Sequence, residues 1–113
     1  MSDEKWLTQV KRGLLELCIL NLLERESMYG YQIVRLLTSV PGLVISEGTV
    51  YPLMSRLKDE GFVASTLVES PYGPARRTYV LTPEGKRHRR ELNKDWQVIS
   101  KAVNAFMIPG EAR

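Results

Sequence analysis

Between Trp6 and Leu23, apolar residues recur at Leu7, Val10, Leu14 and Leu17, in steps of three and four, which predicts one long helix. Leu15, Ile19, Leu22 and Leu23 populate other faces of the same segment. One stripe can serve the core of its own domain; the surplus requires a further partner, and in so short a chain that partner is a second copy. Ser27 is a plausible cap for a second helix, with Ile33, Leu36, Leu37 and Val40 as its inward stripe and Pro41-Gly42 as its end. Leu43-Val44-Ile45 is too short to be more than an extended connector. Ser46 then offers a cap for a third helix reaching about Glu60, in which Val50, Leu53, Met54 and Leu57 face inward and Gly61 stops the helix. Pro52 lies beyond the first turn and removes one intrahelical bond, so the start of this helix is loosely defined.

Phe62 to Glu69 reads as a strand, Ser70-Pro71-Tyr72-Gly73-Pro74 as a turn, and Arg76 to Leu81 as the returning strand of a hairpin. Thr82-Pro83-Glu84 opens a last helix, a capping hydroxyl followed by proline at the first helical position. Along it Leu92, Trp96, Ile99, Val103 and Phe106 repeat in steps of four and three toward Pro109-Gly110, the spacing of a helix that packs along another helix. The order helix, helix, helix, hairpin, helix predicts a mainly α (α+β) chain: a winged helix-turn-helix over residues 1–82, its first helix shared with a dimer interface, and a C-terminal dimerisation helix over residues 83–108.

On this plan the third helix enters a major groove about 12 Å wide and the hairpin lies over neighbouring phosphates or the minor groove. Ser46, Thr49, Tyr51, Pro52, Ser55 and Arg56 form the outward side of the third helix, and Arg76 and Arg77 are the wing contacts. Two readings stand for Ser46, helix cap and DNA contact. Charge supports a nucleic-acid partner by position more than by amount. The net charge is only +3, but residues 76–90 hold six arginines and lysines against Glu84 alone. The run from Lys86 to Arg90 reads equally as a solvated face, and His88 within it as a surface residue.

With 113 residues, 43% apolar and 26% charged, the chain has the make-up of one folded domain. Its longest apolar stretch, Leu14 to Leu23, is about half the ~20 residues a bilayer span needs. The acidic start Met1-Ser2-Asp3-Glu4 is unlike a secretory signal, so a cytoplasmic location without membrane contact is expected. Cys18, the single cysteine, rules out an internal disulfide and reads as an inert buried thiol. No nucleophile or metal-ligand spacing is present, which argues against an enzyme and against a cofactor.

Tyr29-Gly30-Tyr31-Gln32-Ile33, Ser46-Glu47-Gly48-Thr49-Val50-Tyr51-Pro52-Leu53, Arg56-Leu57, Glu60-Gly61 and Arg76-Arg77-Thr78-Tyr79-Val80-Leu81-Thr82-Pro83-Glu84-Gly85 together resemble the PadR family of bacterial transcriptional regulators. The resemblance runs from about Leu14 to Gly85. It implies a homodimer, usually a repressor, that binds an inverted repeat in double-stranded DNA and in some members is released by a small molecule. Tyr29 and Tyr31 would each place a hydroxyl on a phosphate or a ring in the core, with Tyr31 expected partly in the core. Tyr51 is the leading DNA-contact candidate, and Tyr79 is expected to be structural.

The short last helix resembles a subgroup in which flat aromatic compounds sit between two tryptophans, one per subunit. Trp96 holds the corresponding place, with Leu92, Ile99, Leu17 and Asn21 as further candidates for lining such a cavity. A tryptophan face stacks on planar aromatics and attracts cations, but it also fills a dimer core. Asn21 equally suits a solvent-facing or register-setting position. The alternative function is a winged helix used only for protein contact, which would lack the steep salt sensitivity of DNA binding.

Overall fold

A computed structural model describes residues 4–43 and 47–111. Helix α1 spans Glu4–Arg25 and a two-residue strand β1 spans Met28–Tyr29. Helix α2 (Gly30–Ser39) and helix α3 (Glu47–Asp59) follow, then strands β2 (Val63–Ser70) and β3 (Gly73–Leu81), and finally helix α4 (Pro83–Ala105). The strands form an antiparallel sheet in the order β1-β3-β2, so this is a winged helix-turn-helix followed by a long helix.

The core is where the inward stripes of the first three helices meet the inner face of the sheet. Leu15, Ile19, Leu20 and Leu23 of α1 pack with Ile33 and Leu37 of α2, and with Val50, Leu53, Met54 and Leu57 of α3. Met28, Val63, Tyr79 and Leu81 close it from the sheet. All four residues expected inward on α3 are buried. Pro52 is carried within α3 on its exposed side, and the helix runs through it. The end of α3 is a Schellman turn: Phe62 N–H donates to the Leu57 carbonyl and Gly61 N–H to that of Lys58, both at 3.0 Å. Gly61 supplies the φ of +85° that this turn requires.

Several expectations are corrected. The cap of α2 is Tyr29 rather than Ser27, because residues 28 and 29 are drawn into the sheet opposite Tyr79 and Thr78. Gln32 Oε1 accepts the Tyr29 N–H at 2.8 Å and so satisfies a donor at the helix start. Only Ile33 and Leu37 of the expected α2 stripe are buried with Gly30, while Leu36 and Val40 are exposed. The hairpin is longer than expected, β3 starting at Gly73, with an irregularity in the ladder between Val68 and Ser70. Ser46 and most of the expected extended connector lie outside the described residues.

Helix α4 starts as expected. Thr82 Oγ1 accepts the Gly85 N–H at 3.0 Å, and Pro83 occupies the first turn, where its missing donor costs nothing. Its first half is fastened to α1. Asn21 and Asn93 exchange amide hydrogen bonds at 3.0 Å, and Arg89 donates to Asn21 Oδ1 at 3.0 Å while pairing with Glu24 at 3.2 Å. His88, expected at the surface, is instead partly buried. It stacks on Phe62 with centroids 4.0 Å apart and shares a 2.8 Å hydrogen bond with Glu16. The basic run is therefore divided: Arg89 turns toward α1, whereas Lys86, Arg87 and Arg90 are exposed.

Candidate nucleic-acid interface

One cleft of about 560 Å³ is lined by residues of α2, α3 and the wing: Tyr29, Gly30, Tyr31, Arg35, Tyr51, Arg76, Arg77 and Tyr79. The sheet makes it possible. Pairing of Tyr29 with Thr78 brings the start of α2 alongside β3, and the ring of Tyr29 lies parallel to that of Tyr31 at 5.9 Å. Tyr31, expected partly in the core, is 41% exposed for this reason. The Arg76 guanidinium lies 5.8 Å from the Tyr29 ring and 5.3 Å from the Tyr31 ring, and Arg35 lies 5.6 Å from Tyr31 on α2 itself. Cation–π contacts at exposed positions are worth about 0.5–1 kcal/mol each, enough to set where a guanidinium points while leaving its N–H groups for an anion.

Arg76 also donates to the Tyr31 hydroxyl at 3.5 Å, and Arg77 donates to Ser65 Oγ across the hairpin at 2.8 Å. Tyr79 is buried and structural, as its alternation on the strand suggests. Tyr51 enters the cleft from α3. Burial, then the Glu47 carboxylate, then Tyr79, push its phenol above the ordinary tyrosine range, so it stays a neutral O–H donor at physiological pH. Thr49, Pro52 and Ser55 are exposed on the same helix.

Gly30 is the reason Tyr51 can lie where it does. A Cβ on residue 30 would meet Tyr51 Cε1 at 2.7 Å and its hydroxyl at 3.3 Å, whereas hydrogen leaves room for the ring. The obstructing group is a side chain on an open cleft, so Gly30→Ala is expected to swing Tyr51 aside with little change in melting temperature. DNA affinity should fall several-fold, since one oriented contact is worth roughly 1 kcal/mol. Unchanged affinity in a titration would remove Tyr51 from the interface.

Arg56 is placed differently from the other candidates. Its Nη2 pairs with Glu16 at 2.7 Å and its Nη1 with Glu60 at 3.3 Å. Sequence reasoning missed Arg35, which the cleft places beside Tyr31; its only signal was a cation one helical turn after Tyr31.

The residues considered for a small-molecule cavity are divided. Trp96 and Ile99 are 43% and 54% exposed on α4, Leu92 packs against the core, and Leu17 is buried. Asn21 is occupied by α4. Cys18 is half-buried, and burial raises its thiol above the usual range, in keeping with an unreactive group. Among the described residues no cluster of histidine, cysteine and carboxylate side chains could hold a metal ion, and no helix is long and apolar enough to cross a membrane.

Solved structures share this fold. A PadR family transcriptional regulator from Eggerthella lenta is 33% identical, with 94% of this chain and 92% of that one covered and a TM-score of 0.80. A PadR-like transcriptional regulator from Bacillus cereus is 35% identical over 86% of this chain and 94% of its own, with a TM-score of 0.76. A transcriptional regulator from Clostridium thermocellum is 29% identical over 96% of this chain and all of its own, with a TM-score of 0.80. Residues 19–91 match the Transcriptional regulator PadR-like family, a stretch that takes in the cleft, α3, the wing and the first half of α4. The chain belongs to the PadR-like family of transcriptional regulators, DNA-binding proteins rather than enzymes.

Proposed function

We propose that the chain is a homodimeric, sequence-specific repressor that reads an inverted repeat. Helix α3 lies in the major groove with Thr49, Tyr51, Pro52 and Ser55 toward base edges or the sugar-phosphate wall. Tyr29, Tyr31, Arg76 and Arg77 hold flanking phosphates. The observation that carries this reading is a cleft in which β1, α2, α3 and the wing present tyrosine hydroxyls and arginines together. Phosphate contacts of this kind position a protein on the duplex, and the α3 face supplies the sequence dependence. Repression is the simplest output, because a bound dimer occludes the DNA it covers. The test is selection of binding sites from random duplexes, followed by anisotropy titration of the selected site and a scrambled one. A selected consensus with at least hundredfold tighter binding at ~0.15 M salt is expected; equal weak binding to both would point to a module for protein contact.

The dimer is proposed from α4. Beyond Leu92, the helix exposes Trp96, Ile99 and Val103 along one side, and Phe106 follows it, an apolar face that nothing among the described residues covers. Ile99→Glu is expected to convert a dimer into a folded monomer at micromolar concentration in sedimentation equilibrium. A wild-type protein that is already monomeric contradicts the proposal. Where two such helices meet, paired Trp96 rings would form a slot for a planar aromatic, cationic effector, which supports ligand release as the regulatory step. Quenching of Trp96 fluorescence by such a compound, in a Trp6→Phe background and together with loss of DNA binding, is the corresponding check.

A further inference from the structure

Glu16 projects from the middle of α1 and joins α3 to α4, and its side chain is only 14% exposed. Its Oε1 takes Arg56 of α3 at 2.7 Å and its Oε2 takes His88 of α4 at 2.8 Å. A carboxylate this shielded is costly unless both oxygens are satisfied, and here the two partners come from two different elements. Phe62, at the turn leaving α3, stacks on the His88 ring with planes 9° apart, which fixes the imidazole edge toward Glu16. Arg56 has both terminal nitrogens on carboxylates of its own chain, Glu16 and Glu60, which neutralise its charge and hold its guanidinium against α1 and α3.

We infer that Arg56 is not a DNA contact: with Glu16 and His88 it forms a clamp of positioning residues that sets the angle of α3 against α1 and α4. This rests on the proposal that α3 reads DNA. Major-groove recognition needs each side chain within a fraction of an ångström of its base edge, so a small rotation of α3 weakens the matched site and leaves non-specific phosphate attraction intact. The clamp also gives α4 a route to the reading helix. Any shift of α4 that draws His88 away leaves one Glu16 oxygen unpaired, and Glu16 must then move with Arg56.

The experiment compares wild type, Glu16→Gln, Arg56→Gln and the double variant by melting temperature and by affinity for a selected site and a scrambled duplex across a salt series. Each single variant should bind the selected site about tenfold more weakly, as a single mismatched base pair would cause, with scrambled DNA and the salt slope unchanged. The double variant should be little worse than the poorer single one, because both break the same clamp. If Arg56 is instead a phosphate ligand that Glu16 restrains, Arg56→Gln weakens both duplexes and lowers the salt slope by about one, while Glu16→Gln tightens binding. That pattern, or four proteins of equal selectivity, overturns the inference. Should Glu16→Gln fail to fold, His88→Gln removes only the α4 end and is expected to cost about threefold in selectivity; no loss there overturns it equally. A wild-type protein without sequence preference contradicts the DNA-reading proposal itself, before any variant is compared.

Discussion

Gly85→Ala is expected to be strongly destabilising for a change of one methyl group, lowering stability by about 3 kcal/mol or more and the melting temperature by ~10 °C or more. Gly85 lies in the first turn of α4, with its N–H bound to Thr82 Oγ1. A Cβ there would run into the Phe62 carbonyl oxygen, with Leu81 Cδ2 a further 3.2 Å neighbour. The oxygen cannot swing away as a side chain would. It belongs to the peptide after the Schellman turn of α3 and also accepts the Thr82 N–H at 3.2 Å. Gly85 therefore serves close approach and needs no unusual backbone angle. Removing the cap by Thr82→Ala should cost only about 1 kcal/mol, which makes it the natural comparison in circular-dichroism melts. A Gly85→Ala melt no lower than that of Thr82→Ala would mean that α4 does not pack against Phe62 in this way.

The largest effect on DNA binding is expected from Arg76→Ala with Arg77→Ala. If each arginine neutralises one phosphate, the slope of log affinity against log salt should fall by about two, and affinity at ~0.1 M salt should drop by a factor of about 10 to 100 on selected and scrambled DNA alike. Arg76→Ala alone should carry the greater share. Arg76 is oriented by two tyrosine rings and a hydroxyl, and its loss also removes a side-chain tie between the wing and α2. Arg76→Lys keeps the charge but not the flat stacked guanidinium, so it should fall between the two. A salt slope that is unchanged in the double variant would take the wing off the DNA.

Much of this arrangement follows from local chemistry. The stripe Val50, Leu53, Met54 and Leu57 can be read directly because the period of a helix is local, and Thr82-Pro83 because capping chemistry spans only a few residues. Strand β1 escaped such reading because two residues cannot show an alternation, and its pairing with β3 moved the start of α2 two residues past the expected Ser27 cap. The same pairing turned Tyr31 outward onto Tyr29, against the expectation that it would lie partly in the core. Tyr29, Tyr51 and Arg76 were each individually legible as candidates, but not their meeting in one cleft. Glu16 and His88 lie 72 residues apart, and neither belongs to a recognisable spacing; only the packing of α4 on α1 makes them partners.

Whether a two-fold symmetric dimer reads DNA through α3 and the wing is tested most directly by hydroxyl-radical footprinting of the wild-type protein on a selected duplex. Two protected patches per strand are predicted, related by two-fold symmetry and centred about 10 base pairs apart or a multiple of that, with protection at their outer edges lost in the Arg76→Ala, Arg77→Ala protein. A single unsymmetrical patch, or uniform protection without boundaries, would contradict such a dimer.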